Sequence, residues 1–404
     1  MNDKFLPYGR QVIDDDDIAA VTAVLRGDWL TTGPTVEKFE AALAARVGAR
    51  FAVACSSGTA ALHLATLAAD LKHGDHAVVP SMTFLATANA VRYADAEAVF
   101  ADVDSNTGLM RPEDLEAALA RAQGRVTAVL PVHLAGQSVD MAAIAAIAER
   151  HGMAVIEDAC HALGSTYQAD GETFQVGSCR HSTMAVFSFH PVKTIAMGEG
   201  GAITTNDPEL CKRLMMLRSH GMTRDASEFQ NVDLAFDANG HPNPWYYEMP
   251  VLGFNYRASD INCALGLSQL GKLDGFIDRR RALVVQYDKM LAQLVPQVRP
   301  PAHVPGCNPA WHLYAPRIDF AGIEGGRAGL MQRLRDVGIG TQVHYIPLHR
   351  QPYYLERLGE KQLPGAMKYY RETLSLPLFP SMTDADVRRV VDALKDATGV
   401  SLRS

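Results

Sequence analysis

The 404-residue chain has no run of roughly 18 consecutive apolar residues, so no membrane-spanning helix is expected. Its opening residues, MNDKFLPYGR, lack the apolar core of a secretory leader. Positive charge is not in surplus: 38 Lys and Arg stand against 45 Asp and Glu, a net −7, which excludes a broad basic face for nucleic acid. Cysteine is sparse and scattered, at Cys55, Cys160, Cys179, Cys211, Cys263 and Cys307. None forms a CxxC pair and no zinc spacing occurs, so neither a disulfide framework nor a metal site is expected, and reduced cytoplasmic thiols are. No repeat or low-complexity tract is visible. Apolar residues at 48% and charged residues at 21% exclude a disordered, collagenous or coiled-coil chain. The length exceeds one compact core and predicts two units of unequal size.

What is present is a regular alternation. Four acids, Asp14 to Asp17, open a segment with Ile18, Val21, Val24 and Leu25 at helical spacing. Carboxylates at a helix N-terminus explain the cluster without a metal. Apolar runs at 51–55, 76–80, 97–104, 126–136, 154–159, 182–190 and 200–207 read as strands, and helical patterns fall between several of them. Such alternation predicts an α/β protein with a mostly parallel sheet covered on both faces. In such sheets ligands bind at the carboxyl ends of the strands. A polar Gly-, Asn- and Pro-containing stretch after residue 221 reads as a long loop, and one continuous helical pattern follows Asn255–Tyr256–Arg257. The remainder contains strand candidates HLYAPRIDF and GTQVHYIP, a helix at RAGLMQRLRDVG, and a closing helix. The closing helix has Val387, Val390, Val391 and Leu394 on one face and Thr383 with Asp386 as a capping pair.

The residues that carry chemistry lie at strand ends. Lys193, in FSFHPVKTIAMGEGG, sits among Phe187, Phe189, Val192 and Ile195. Desolvation there would lower the amine's pKa and permit a Schiff-base lysine; a packed stem with a solvated ammonium is the plainer reading. Asp158 ends AVIED, where a carboxylate can cap a helix or pair with a heterocyclic nitrogen. Ser56, Ser57, Gly58 and Thr59 join a strand to a helix N-terminus, a setting that suits a phosphate although no Walker lysine follows. Ser188 can add a hydroxyl to the same phosphate. Phe84 is either core or a ring-stacking face. Together these specify a phosphorylated pyridine held by a lysine, pyridoxal 5′-phosphate.

The runs SSGTAALHLA, PSMTFLATANA, VIEDACHALGS, FSFHPVKTIAMGEGG, FNYRASDINCALG and VHYIPLHRQPYY resemble the DegT/DnrJ/EryC1/StrS family of sugar aminotransferases, from residue 6 to the last helix. The segments FSFHPVKT, WYYEM and HYIPLHRQPYY are most similar to its members that make UDP-4-amino-4,6-dideoxy-N-acetyl-β-L-altrosamine for pseudaminic acid. The resemblance implies a type I pyridoxal-phosphate transferase fold, like that of aspartate aminotransferase. Residues 1–265 would form a large cofactor-binding domain with an N-terminal arm, and 266–404 a smaller α+β domain. It implies that Lys193 is the catalytic base and cofactor lysine. Asp158 would pair with the pyridine nitrogen, His161 would lie near the ring, and Phe84 would stack on it. Ser57, Gly58, Thr59 and Ser188 would hold the phosphate, with Asn255 reaching the partner's cofactor across a homodimer. It points to Tyr8, Thr31, Thr32, Gly33, Arg257, His344 and Tyr345 for substrate, although each has a plain structural explanation as well. The implied substrates are L-glutamate and a UDP-linked 4-keto-6-deoxy sugar; a D-configured UDP sugar or a dTDP sugar is the alternative. No partner nucleic acid or membrane is expected.

Overall fold

A computed structural model describes residues 5–399. Its longer strands are β1 (Phe51–Cys55), β2 (His76–Pro80), β3 (Glu97–Ala101), β4 (Val126–Val129), β5 (Ala154–Asp158), β6 (Thr166–Ala169), β7 (Glu172–Gln175), β8 (Met184–Ser188) and β9 (Gly201–Thr205). Seven of them build the central sheet in the order β1-β9-β8-β5-β4-β2-β3. Neighbours pair parallel except at β9, which runs antiparallel to both β1 and β8. Strands such as FAVAC and MAVFS are apolar at nearly every position because both sheet faces are covered. The chain up to residue 235 supplies helices α1 (Asp15–Leu25), α2 (Pro34–Val47), α3 (Gly58–Ala68), α4 (Leu85–Tyr93), α5 (Pro112–Arg121), α6 (Met141–His151), α7 (Pro208–Arg218) and the short α8 (Val232–Ala235). The second half supplies α9 (Asp260–Leu270), α10 (Leu273–Leu291), α11 (Gly326–Asp336), α12 (Pro352–Leu358), α13 (Pro364–Glu372) and α14 (Asp384–Thr398).

The sheet's chain direction brings Cys55, Asp158 and Ser188 to the same edge, each at the carboxyl end of its strand. Two apolar cores form. The first surrounds the sheet and also draws in Leu348, Tyr354 and Tyr369 from the C-terminal part. The second joins Leu6 to α10, α11 and α14. The closing helix forms as its spacing predicts: Val387, Val390, Val391 and Leu394 are buried, and Thr383 with Asp386 makes a reciprocal capping box.

Several elements differ from the sequence reading. Asp14 caps α1 as expected, but its neighbour Asp17 is buried and bonds Ser268 Oγ at 2.6 Å and Gln269 Nε2 at 2.7 Å. α1 therefore lies on α9 through a carboxylate, and the apolar residues Ile18 and Leu25 face outward, more than half exposed. The expected single helix after Arg257 is two, because Gly271 ends α9 and Lys272 turns to pair with Asp14 and Asp17. The strand expected to run to residue 136 stops at Val129. Beyond Pro131 the chain tightens into a turn at Leu134–Gly136. HLYAPRIDF forms a strand only at Arg317–Ile318, with an isolated bridge from Tyr314 to Leu376, and GTQVHYIP makes one isolated bridge among the described residues, Gln342 to Ser375. The hairpin β6–β7 had no counterpart in the sequence reading.

Leu394 is fully buried in the second core. Leu394→Ala is expected to lower apparent unfolding stability by about 2–5 kcal/mol in denaturant melts followed by circular dichroism. A change below about 0.5 kcal/mol would contradict a close-packed C-terminal core.

Candidate active site

Above the carboxyl ends of β1, β5 and β8 lies a cavity of about 570 Å³. Tyr8, Ser57, Gly58, Thr59, Phe84, Asp158, His161, Ser188, Lys193, His344 and Tyr345 all line it. Its size is that of a small-molecule site.

The loop after β1 turns at Ser57, whose side chain caps α3 through Ala60 N–H at 3.1 Å. A side chain on Gly58 would put its Cβ 2.7 Å from Ser188 Cβ, so only glycine lets the helix N-terminus approach Ser188 this closely. The result is a cradle of free N–H groups and hydroxyls suited to a phosphate. Asp158 is 5% exposed. Thr87 Oγ1 donates to it at 2.7 Å and Cys160 N–H at 3.2 Å. Its side chain makes no ion pair among the described residues, so a buried carboxyl group faces the cavity without a cation salt-bridged to it. Such a group fits a protonated ring nitrogen. Phe84 precedes α4 and is half exposed over the cavity, and its ring centroid lies 5.9 Å from that of Tyr345.

Lys193 follows a turn closed by its own N–H to His190 O at 2.8 Å. Burial pushes its amine below the ordinary lysine value, while Cys160 and Asp158 pull it partly back. Three imidazoles share this environment. Burial and the nearby Lys193 hold His161 and His312 well below the usual histidine range, and bring His344 down to about 3. His161 Nε2 meets Tyr345 Oη at 3.0 Å, and His344 Nδ1 meets Ser375 Oγ at 2.8 Å.

Thr31, Thr32, Gly33, Asn255 and Arg257 do not line this cavity. They gather on one adjoining surface: Thr31 bridges Ser259, Gly33 N–H bonds Asp260 Oδ2 at 2.8 Å, and Arg257 bridges Cys55 just before the Ser56–Thr59 turn. Sequence reasoning missed Thr87, Cys160, Glu199 and His312 in the lining. Thr87 stands three residues after Phe84, one turn along α4, and that spacing was a usable signal. His312 lies in a segment read as a strand, and nothing in its neighbours marks it.

The DegT/DnrJ/EryC1/StrS aminotransferase family profile matches residues 11–395. The chain belongs to that family. It is a sugar aminotransferase that works with pyridoxal 5′-phosphate, on the type I transferase fold that the family shares. It is 42% identical over 395 residues, 97% of each chain, to the spore coat polysaccharide biosynthesis protein SpsC of Bacillus subtilis. It is similar in structure to Helicobacter pylori PseC, an aminotransferase of pseudaminic acid biosynthesis, with a TM-score of 0.87, 27% identity, and coverage of 98% of this chain and 100% of that one. The sugar aminotransferase Spr1654 of Streptococcus pneumoniae, in its pyridoxal-phosphate form, gives a TM-score of 0.86 at 26% identity, covering 98% of this chain and 99% of that one.

The lowered Lys193 value has a kinetic consequence. A lysine amine adds to an aldehyde only in its neutral form, above its pKa, so if Lys193 is the capturing lysine its lowered value carries capture toward neutral pH. The rate at which the cofactor-free enzyme covalently takes up pyridoxal phosphate should rise with pH to a plateau, with a midpoint below 10.5. Stopped-flow absorbance reads it, and a midpoint at or above 10.5 would contradict a desolvated Lys193.

Proposed function

We propose that the enzyme transfers the amino group of L-glutamate to C4 of UDP-2-acetamido-2,6-dideoxy-β-L-arabino-hex-4-ulose. The product is UDP-4-amino-4,6-dideoxy-N-acetyl-β-L-altrosamine, for pseudaminic acid. The observation that carries the chemistry is the buried Asp158 beside the desolvated Lys193; the likeness to PseC over nearly the whole chain supports the substrate. The higher identity to SpsC supports a second reading, a different nucleotide keto sugar of the D-configured UDP or dTDP class.

Bound pyridoxal phosphate supplies an electron sink conjugated to the amine-bearing carbon. Lys193 Nζ would hold the cofactor, and as a neutral amine it would move the proton at the donor's α-carbon. Asp158, oriented by Thr87, would accept a hydrogen bond from the ring nitrogen. Ser57, Gly58, Thr59 and Ser188 hold the phosphate, and Phe84 covers the ring. His161, neutral and buried, closes the inner wall against water, and Tyr8, His344 and Tyr345 face the substrates.

The lining contains Lys193 as its lysine and no arginine, yet the proposed substrates carry several negative charges. This supports a homodimer in which Asn255 and Arg257, with Thr31, Thr32 and Gly33, serve the partner's cavity. Exposed apolar residues near that surface, including Trp29, Leu30, Trp245 and Leu252, support the same arrangement. Six unpaired thiols support a reducing, cytoplasmic setting. We take residues 1–265 as the cofactor domain and 266–404 as the smaller one, a division supported by the separate core around α10, α11 and α14.

Lys193→Ala should abolish both turnover and the visible absorbance of the loaded enzyme, and a fully active variant would overturn the reading. Incubating the amine-loaded enzyme with each candidate keto sugar, with products resolved by mass spectrometry and NMR, decides the substrate. Amination of the L-arabino ketose at least tenfold faster than the others is expected; preference for a D-configured or dTDP ketose replaces the first substrate with the second.

A further inference from the structure

The main chain around residue 135 determines which nitrogen of His161 carries a proton. Ala135 adopts the left-handed conformation at φ 60°, rare for a residue with a Cβ. Gly136 follows at φ 95°, where a Cβ would stand 3.0 Å from Trp311 N and 3.1 Å from His161 O. The turn is tied down on both sides. Ala135 O accepts from His312 N at 3.0 Å, and Gly136 O accepts from Ser165 Oγ at 2.7 Å. So held, Ala135 N–H donates to His161 Nδ1 at 3.3 Å.

Nδ1 is therefore an acceptor and carries no proton. Burial, with Lys193 and His344 nearby, disfavours a second proton on the ring. Its proton consequently sits on Nε2, and the 3.0 Å contact with Tyr345 runs from Nε2–H to Oη. The opposite direction would need a proton on Nδ1, pointing at an N–H. Tyr345 Oη thus spends an acceptor site on His161, and its own O–H has no protein acceptor among the described residues. Tyr345 lines the cavity, between Phe84 at 5.9 Å and His344 at 4.9 Å between ring centroids.

We propose that Tyr345 is fixed by His161 and the Ala135 main chain as a hydrogen-bond donor into the cavity, where it binds a carbonyl or anionic oxygen of the ligand. The proposal rests on the aminotransferase reading of the cavity. Two oxygens share this chemistry, one on the cofactor ring and one at the keto carbon of the acceptor sugar. Tyr345 is the residue that touches ligand, and His161 positions it.

The first arm of the test needs no cofactor. In ¹⁵N-histidine-labelled, cofactor-free protein near pH 7, with His161→Gln used for assignment, His161 is expected to show a protonated Nε2 and a bare Nδ1. A protonated Nδ1, or an imidazolium, overturns the proposal. The second arm uses Tyr345→Phe, which keeps the ring contacts. If the cofactor's visible band or its titration midpoint shifts and the glutamate half-reaction slows about tenfold or more, the accepting oxygen is on the cofactor. If those stay unchanged while single-turnover amination of the keto sugar slows about tenfold or more, it is on the sugar. If spectrum and both half-reactions stay within about twofold of the parent enzyme, the proposal falls. Failure of the parent enzyme to take up pyridoxal phosphate would overturn the aminotransferase reading instead, and the tautomer would still be read from the first arm.

Discussion

A carboxyl group taken out of water at the end of β5 is the constraint around which the site is arranged. Glu157 and Asp158 are adjacent and both buried, and strand alternation sends them to opposite faces of the sheet. Glu157 is enclosed by donors: His133 Nε2 at 3.0 Å, the Ser182 hydroxyl, and Gly177 N–H at 3.4 Å. Among the described residues Asp158 receives only Thr87 and the Cys160 N–H, and its remaining acceptor capacity opens into the cavity. A buried carboxyl group left this short of donors is costly unless a ligand completes it. The same residue class thus has two settings one position apart, one enclosed by protein donors and one open to the cavity. β8, paired with β5 on one side, then delivers Ser188 and the turn bearing Lys193 to the same place.

The cavity's charge follows from this arrangement. Asp158 and Glu199 are its acids and Lys193 its lysine, and the three imidazoles around Lys193 stay neutral because burial and the lysine both oppose a second positive charge. The helix N-terminus and hydroxyls at the cavity suit anionic groups without a cluster of positive side chains. The net −7 of the chain is therefore no obstacle to phosphorylated ligands, since the fields that matter act over a few ångströms.

Much of this was legible in the sequence, for identifiable reasons. The central strands are buried on both faces, so their apolar runs stand out, and β1, β2, β5 and β8 sit within a residue or two of their expected bounds. Lys193, Asp158, Ser188 and the Ser57–Thr59 turn are at strand ends, which topology makes conspicuous. The C-terminal strands were not legible as drawn, because pairing two residues long leaves room for either outcome. Nor was the break between α9 and α10, which depends on Lys272 meeting Asp14 and Asp17 some 250 positions away. Ile18 and Leu25 show the reverse error: helical spacing correctly marked an apolar face, but spacing says nothing about what covers it. His312 enters the cavity from a segment whose pattern is that of ordinary core.

The turn at Ala135 carries a consequence for how such proteins change over time. The atom that sets the protonation of His161 belongs to the peptide backbone, not to any side chain. Exchanging Ala135 for glycine or asparagine would leave that N–H in place, so residue identity at this position is a poor record of its importance. The record lies in spacing instead. An insertion or deletion between Val129 and Asp140 would swing the N–H away while leaving every named side chain of the site intact. Loop length there, more than composition, is the inherited quantity to watch.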